Sequence, residues 1–158
     1  GIYAPKAFSR ETLQFNIYRV EKTNWDYFKE YHYLNSSPLY QGFCYELKIN
    51  NKKVGFCNIA RFPHPTVKDV YNIQRIVIVP EFQGFGLGIK FMNEIAKLYN
   101  KNNRVRVITS LKPFITALNK NKNWKCKRFG RANKPGKNAT RAKTIPNKRL
   151  TATFEFLN

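Results

Sequence analysis

Acidic residues are scarce in this chain. Nine Asp and Glu stand against 29 Lys and Arg, giving a net charge of +20 over 158 residues. So large an excess on a small chain predicts a polyanionic partner, most simply nucleic acid. A composition biased toward Lys and Asn would produce the same excess, and Asn is abundant here. Long apolar runs are missing: none approaches the ~20 residues of a membrane span, so no membrane association is expected. Cysteines number three, at Cys44, Cys57 and Cys126, with no Cys-x-x-Cys pair, and there are only two histidines. That supply is too small and too scattered for a structural zinc site. It fits a reducing compartment, so a cytoplasmic protein is expected. Cys44 and Cys57 are expected to lie diagonally across a hairpin as buried thiols. The chain opens on Gly1 with no visible signal peptide. A trimmed chain, or a piece cut from a longer protein, would begin this way.

Apolar residues are not lacking. Hydrophobic side chains make up 42% of the chain and aromatics 15%, which excludes general disorder. The length suits one domain, here 1–158, with a core of its own. The stretch from Ile73 to Tyr99 organises the rest. A β-branched run, Ile76-Val77-Ile78-Val79, is closed by Pro80 and reads as the end of a strand. Gly84, Gly86 and Gly88 follow at alternate positions, and then Ile89, Met92, Ile95, Ala96 and Tyr99 recur at helical spacing. Glycine lets the backbone turn sharply and approach a ligand closely. A helix starting at such a turn presents unpaired N–H groups and partial positive charge. Together these make a cradle for a phosphate or diphosphate. A P-loop would need Lys-Ser or Lys-Thr after its last glycine, and Ile89-Lys90 stands there instead. A dinucleotide fingerprint starting at Gly84 would need a small residue at Ile89.

In chain order, Phe15 to Val20 alternates weakly as a first strand. Thr23 or Asn24 can cap a helix beginning near Trp25, with Phe28, Tyr31 and Tyr33 on its apolar face and an end by Ser36-Ser37-Pro38. Gly42 to Ile49 and Val54 to Phe62 form a hairpin around Asn50-Asn51-Lys52-Lys53. Val70 to Val79 is the strand before the glycine loop. Arg104 to Thr109 is a short strand, and Pro113 suits the first turn of a helix reaching about Asn119. Lys120 to Arg149 is rich in Lys and Arg and has no acid. Its middle, 131–148, reads as a mobile basic loop, and a last strand covers Arg149 to Phe156. Two strands close the chain, and the whole order is that of an α/β domain with a mixed sheet.

The spacing Gln83-x-x-Gly86-x-Gly88 after a Val-x-Pro strand end resembles the coenzyme A loop of the GCN5-related N-acetyltransferase (GNAT) superfamily. That resemblance implies a mostly antiparallel mixed sheet, splayed where the acyl-CoA lies and flanked by helices. It implies acetyl-CoA, or a related acyl-CoA, as cofactor. Backbone amides of Gln83, Gly84, Phe85, Gly86, Leu87 and Gly88 would hold its diphosphate, and backbone of Val77, Ile78 and Val79 would pair with its pantetheine arm. Trp25-x-x-Phe28-x-x-Tyr31-His32-Tyr33-Leu34, Phe62-Pro63-His64-Pro65, Thr109-Ser110-x-x-Pro113 and the strand from Arg149 to Phe156 are similar to acetyltransferase domains of phages and mobile elements. Those domains are often joined to an ABC-type ATPase, which makes an ATPase a possible partner. The His-Tyr pair ahead of a hairpin also resembles the Mom family, which modifies adenine in phage DNA. In many superfamily members a tyrosine after the last helix reprotonates the leaving thiolate. Counted back from Asn123-Trp124, Asn119 holds that position here.

Attack of an amine on a thioester needs a base and a stabilised oxyanion. Glu81 and Asp69 read as solvated surface residues. His32 is the better base, because imidazole titrates near neutral pH. A half-buried histidine closing a helix is the other reading. Tyr33 supplies a proton, stacks on a base, or simply packs on the apolar face. Ser110 lines the pocket or caps a helix. His64, between two prolines, shapes a loop or contacts substrate. The nucleic-acid contacts are expected from Lys125, Lys127, Arg128, Arg131, Lys134, Lys137, Arg141 and Lys143. Trp124 and Phe129 are interleaved among them, with Trp124 the one that belongs to the core. A protein or small-amine acetyltransferase, and a non-catalytic nucleic-acid-binding module, are the alternatives.

Overall fold

Asn50 and Asn51 both have positive φ, 50° and 67°. Two left-handed residues in succession are what a tight two-residue hairpin turn requires, and asparagine tolerates that geometry better than most residues. The turn pairs Ile49 with Lys52 and sets the register of the strands on either side. The computed structural model describes residues 14–32, 39, 41–131 and 150–157, with Arg131 described in its backbone only.

Among the described residues there are seven strands: β1 (Phe15–Val20), β2 (Phe43–Ile49), β3 (Lys52–Arg61), β4 (Val70–Ile78), β5 (Arg104–Thr109), β6 (Trp124–Arg131) and β7 (Leu150–Phe156). They form one mixed sheet in the order β1-β2-β3-β4-β5-β7-β6. The helices are α1 (Trp25–Phe28), α2 (Leu87–Tyr99) and α3 (Lys112–Lys120). This is the α/β architecture expected from the sequence. Among the described residues no helix is long and apolar enough to cross a membrane.

The contacts divide the chain into two units: residues 1–61 with 73–92, and residues 62–72 with 93–158. In the first, β1, β2 and β3 form an antiparallel meander. A 3-10 turn Lys22–Asn24, α1 and a second 3-10 turn Lys29–Tyr31 lie on one face of it. Trp25 and Phe28 pack there against Cys44, Phe56, Val77 and Val79. The helical stretch ends at Tyr31, earlier than its apolar spacing suggests. Asn24 does not cap it: its side chain donates to the Glu46 carboxylate at 3.1 Å. Tyr45, Leu47 and Ile49 are buried as the alternation requires, but Cys44 and Glu46 on the opposite face are buried as well. Phe43, which alternation puts on the same face as Tyr45, Leu47 and Ile49, is exposed. Cys44 and Cys57 are diagonal neighbours, since Cys44 pairs with Asn58 and Tyr45 with Cys57. Both are buried free thiols.

In the second unit β7 lies between β5 and β6, antiparallel to both. The Arg104 N–H donates to the Asp69 carbonyl at 2.7 Å, so β5 begins beside the start of β4. Trp124 is buried, packs on Phe156 and donates its indole N–H to Asn93 Oδ1 at 2.6 Å. It belongs to the core, as read from sequence. Thr109 Oγ1 accepts the Leu111 N–H at the head of α3, and Pro113 occupies the first turn. In the acid-free run Lys120 closes α3 and Trp124–Arg131 form β6, an edge strand whose Lys125, Lys127, Arg128 and Phe129 are exposed. Charged residues on an edge strand also discourage pairing with another chain. Tyr33, Lys134, Lys137, Arg141 and Lys143 lie outside the described residues, as does the side chain of Arg131.

Candidate active site

The strand end, glycine loop and helix start all belong to the first unit. After β4, Pro80–Phe82 form one 3-10 turn, with the Phe82 N–H on the Val79 carbonyl at 3.0 Å. Gly84 and Gly86 then take φ of +88° and +74°. Positive φ at alternate positions needs residues without a Cβ penalty. A Cβ at either glycine would meet nothing within 4 Å. The loop is thus held by backbone conformation, with open space beside it, and Gly84, Phe85 and Gly86 are exposed. α2 starts at Leu87 and runs 13 residues with no acid in its first turn. Its first N–H groups have no partner within the helix. Open space, glycine backbone and a long helix N-terminus fit a diphosphate.

Beside the loop, alternate residues of β4 turn their peptide groups to opposite edges. The Val79 N–H donates to the Val54 carbonyl of β3 at 2.9 Å. The Val77 carbonyl also faces β3, lying 3.0 Å from the point a Cβ on Gly55 would occupy. Ile78 therefore faces the other way. Its carbonyl is taken by the side chain of Gln83, whose Nε2 donates at 2.8 Å. The Gln83 side chain thus folds back onto β4 and ties the loop to it.

His32 follows the last 3-10 turn, half-buried, with its N–H on the Lys29 carbonyl at 3.3 Å. Its imidazole meets the Trp25 indole edge-on at 5.7 Å. Arg75 of β4 lies over the same indole at 5.4 Å, and burial pulls its pKa below the usual arginine range. His32, Trp25 and Arg75 thus form one cluster on the α1 side of β4. Nothing in the residue pattern singles out Arg75, because an arginine inside an apolar strand pattern looks like an outward-facing residue. Glu46 was equally hidden. It is 1% exposed, accepts from Asn24 and lies 3.9 Å from Lys48 Nζ. A carboxylate so buried is kept by its donors.

Glu81 and Asp69 are exposed. His64 is exposed too, and its Nδ1 accepts the N–H groups of Thr66 and Val67 at 3.2 and 3.1 Å, which shapes the loop after Pro63. Ser110 is half-buried immediately before the Leu111 cap of α3, and Asn119 is exposed on that helix. Both lie in the second unit, as do Lys125, Lys127 and Arg128. Lys127 reaches the Glu155 carboxylate at 3.6 Å, where Arg104 and Arg106 also converge, at 2.6 and 3.5 Å. Four of the charges on this face are therefore three cations around one acid. Among the described residues no group of His, Cys, Asp and Glu is placed to hold a metal.

The family model described as the acetyltransferase (GNAT) family matches residues 7–123. No curated protein matches the chain. Among solved structures, the chain is similar to the ribosomal-protein-S18-alanine N-acetyltransferase of Escherichia coli, with a TM-score of 0.63 at 15% identity over 90% of this chain and 93% of that one. It is similar to a Bacillus subtilis acetyltransferase in complex with CoA, with a TM-score of 0.61 at 12% identity over 93% and 99% of the two chains. It is also similar to a GNAT family acetyltransferase from Elizabethkingia anophelis with acetyl-CoA bound, with a TM-score of 0.57 at 13% identity over 91% and 98%. At such identities these likenesses establish the fold.

Proposed function

The chain belongs to the acetyltransferase (GNAT) family, and from that premise we propose that it uses acetyl-CoA to acetylate an amine on a nucleic-acid base, in DNA first. This is the DNA-modifying chemistry that the Mom-like resemblance implies. The observation that carries the cofactor is the loop, where Gly84 and Gly86 hold left-handed backbone next to open space and a helix start. Backbone N–H groups from Gly84 to Gly88 would hold the diphosphate, and Ile78 would meet the pantetheine arm. When bound, acetyl-CoA supplies a thioester carbonyl for an amine to attack.

The remaining work falls to the chain. His32, held edge-on by Trp25, takes the proton that the attacking amine loses. An exocyclic base amine is neutral at physiological pH, so it needs no prior deprotonation. Asn119 carries no proton acidic enough for the leaving thiolate, which takes its proton from water. Recognition of the polyanion rests on the +20 charge and on exposed Lys125, Lys127 and Arg128 on β6, which lead into the basic run.

The deciding experiment is mass spectrometry of nucleosides from DNA and RNA incubated with the protein and isotope-labelled acetyl-CoA. A labelled acetyl group on one nucleoside is expected. Label on polyamine or protein, with none on nucleosides, overturns the nucleic-acid acceptor and keeps the acetyltransferase. In a parallel anisotropy assay, replacing Arg131, Lys134, Lys137, Arg141 and Lys143 with Ser is expected to weaken DNA binding and flatten its salt dependence, leaving acetyl-CoA affinity intact.

A further inference from the structure

A cavity in the first unit, of about 500 Å³, lies where the helical stretch, the β2–β3 turn and the turn after β4 meet. Its volume falls in the range of small-molecule sites, ~300–1,000 Å³. Tyr27 and Tyr31 line it and remain 51% and 38% exposed. Lys52 and Lys53 reach it from the hairpin tip, and Glu81 and Phe82 border it. Large aromatic surface left in water beside paired ammonium groups is costly unless a ligand covers it. The Lys53 ammonium sits 4.8 Å from the centre of the Tyr27 ring, a cation–π contact that orients it while leaving its N–H donors available. The Tyr31 phenol is pushed above its usual pKa by its hydrogen bond to Glu30, with Glu81 adding to the effect, so it stays neutral.

We propose that this cavity binds one nucleotide of a single-stranded nucleic acid, with a base on Tyr31, its exocyclic amine on Glu81 and a neighbouring phosphate on Lys52 and Lys53. Each part matches one chemical feature. A tyrosine face stacks on any base. A carboxylate accepts from the amino group of cytosine or adenine and finds none on thymine. Two ammonium groups answer one phosphate. Phe82 is followed directly by the Gln83–Gly88 loop, so a strand seated here lies against the turn that leads into the cofactor cradle. The proposal rests on the nucleic-acid reading above and assigns that reading a site in residues separate from the basic run.

The test is fluorescence anisotropy with labelled oligo(dC) and oligo(dT) of about ten nucleotides, across a salt series, with acetyl-CoA affinity measured by calorimetry on the same samples. Wild type is expected to prefer oligo(dC), and Glu81→Gln to reduce that preference. Tyr31→Ala is expected to weaken oligo(dC) about tenfold, the loss of one stacked base. Lys52→Ser with Lys53→Ser is expected to lower the salt slope by about one phosphate contact. Acetyl-CoA affinity and melting temperature should stay unchanged in all of them. Unaltered oligonucleotide binding by folded variants overturns this site while leaving the nucleic-acid reading in place. A parallel fall in acetyl-CoA affinity assigns the cavity to the coenzyme and overturns it too. If wild type binds acetyl-CoA but no oligonucleotide, the nucleic-acid reading fails with it.

Discussion

The side-chain amide of Gln83 donates to the backbone carbonyl of Ile78 across 2.8 Å, closing the glycine loop onto the strand that precedes it. The bond fixes the loop's take-off from β4 before any ligand arrives. Gln83→Met keeps the length and apolar bulk but removes the donor. One net hydrogen bond is worth about 1 kcal/mol, so acetyl-CoA affinity should fall about fivefold, with little change in melting temperature. Calorimetry checks this, and unchanged affinity would assign Gln83 a passive role.

Gly86→Asp addresses the cradle itself. Nothing lies within 4 Å of the added Cβ, and aspartate tolerates positive φ better than most residues. The backbone penalty is about 1–2 kcal/mol, so the variant should fold. Its carboxylate would stand where the diphosphate belongs, and acetyl-CoA binding should be lost. A folded variant that binds normally would remove the loop from the site.

His32→Ala separates base from scaffold. If His32 takes the proton, kcat should fall about 10²–10⁴-fold while acetyl-CoA Kd stays constant. A purely structural histidine would instead lower the melting temperature, through its contact with Trp25, and leave kcat near wild type. Steady-state kinetics and thermal unfolding on the same variant distinguish the two.

Cys57 links stability to alkaline pH. Burial, with a smaller contribution from Cys44, raises its thiol pKa well above the ordinary value of 9.0. The folded state therefore keeps a proton that the unfolded state releases. Its contribution is fully present below about pH 9 and is lost as pH rises beyond that, at up to about 1.4 kcal/mol per pH unit. Replacing Cys57 with Ala should lower the melting temperature at pH 7 by opening a small cavity, yet flatten the decline above pH 9. Identical slopes in both proteins would contradict the linkage.

Sequence pattern carried the strands and the loop because their signals are local. β1 begins and ends where its alternation does, and Asn50-Asn51 announces its own turn. The failures come from partners that a pattern does not show. Glu46 looks solvent-facing by alternation, but the helical stretch covers that face of β2 and Asn24 satisfies its carboxylate. Phe91 is fully buried on α2, whereas Ile89, which the helical spacing puts on the apolar face, is only half-buried. Arg75 gains its place from Trp25, 50 positions earlier in the chain. β6 was legible as one of the two closing strands but not in its bounds, because its lysines and arginines are exposed and Trp124 is what it packs into the core. For the site, the glycine spacing was legible, whereas the Gln83 clamp depends on a side-chain direction that no spacing encodes.

The chain has two tryptophans, and each unit holds one: Trp25 in the first, Trp124 in the second. Their emission is therefore an intrinsic two-channel reporter. Trp124→Phe leaves the fluorophore of the first unit, which packs edge-on against the His32 imidazole at 5.7 Å. Trp25→Phe leaves a fluorophore hydrogen-bonded to Asn93 that senses the other unit. Urea titrations of the two single-tryptophan proteins would show one shared midpoint for a single cooperative domain and two midpoints for independent ones.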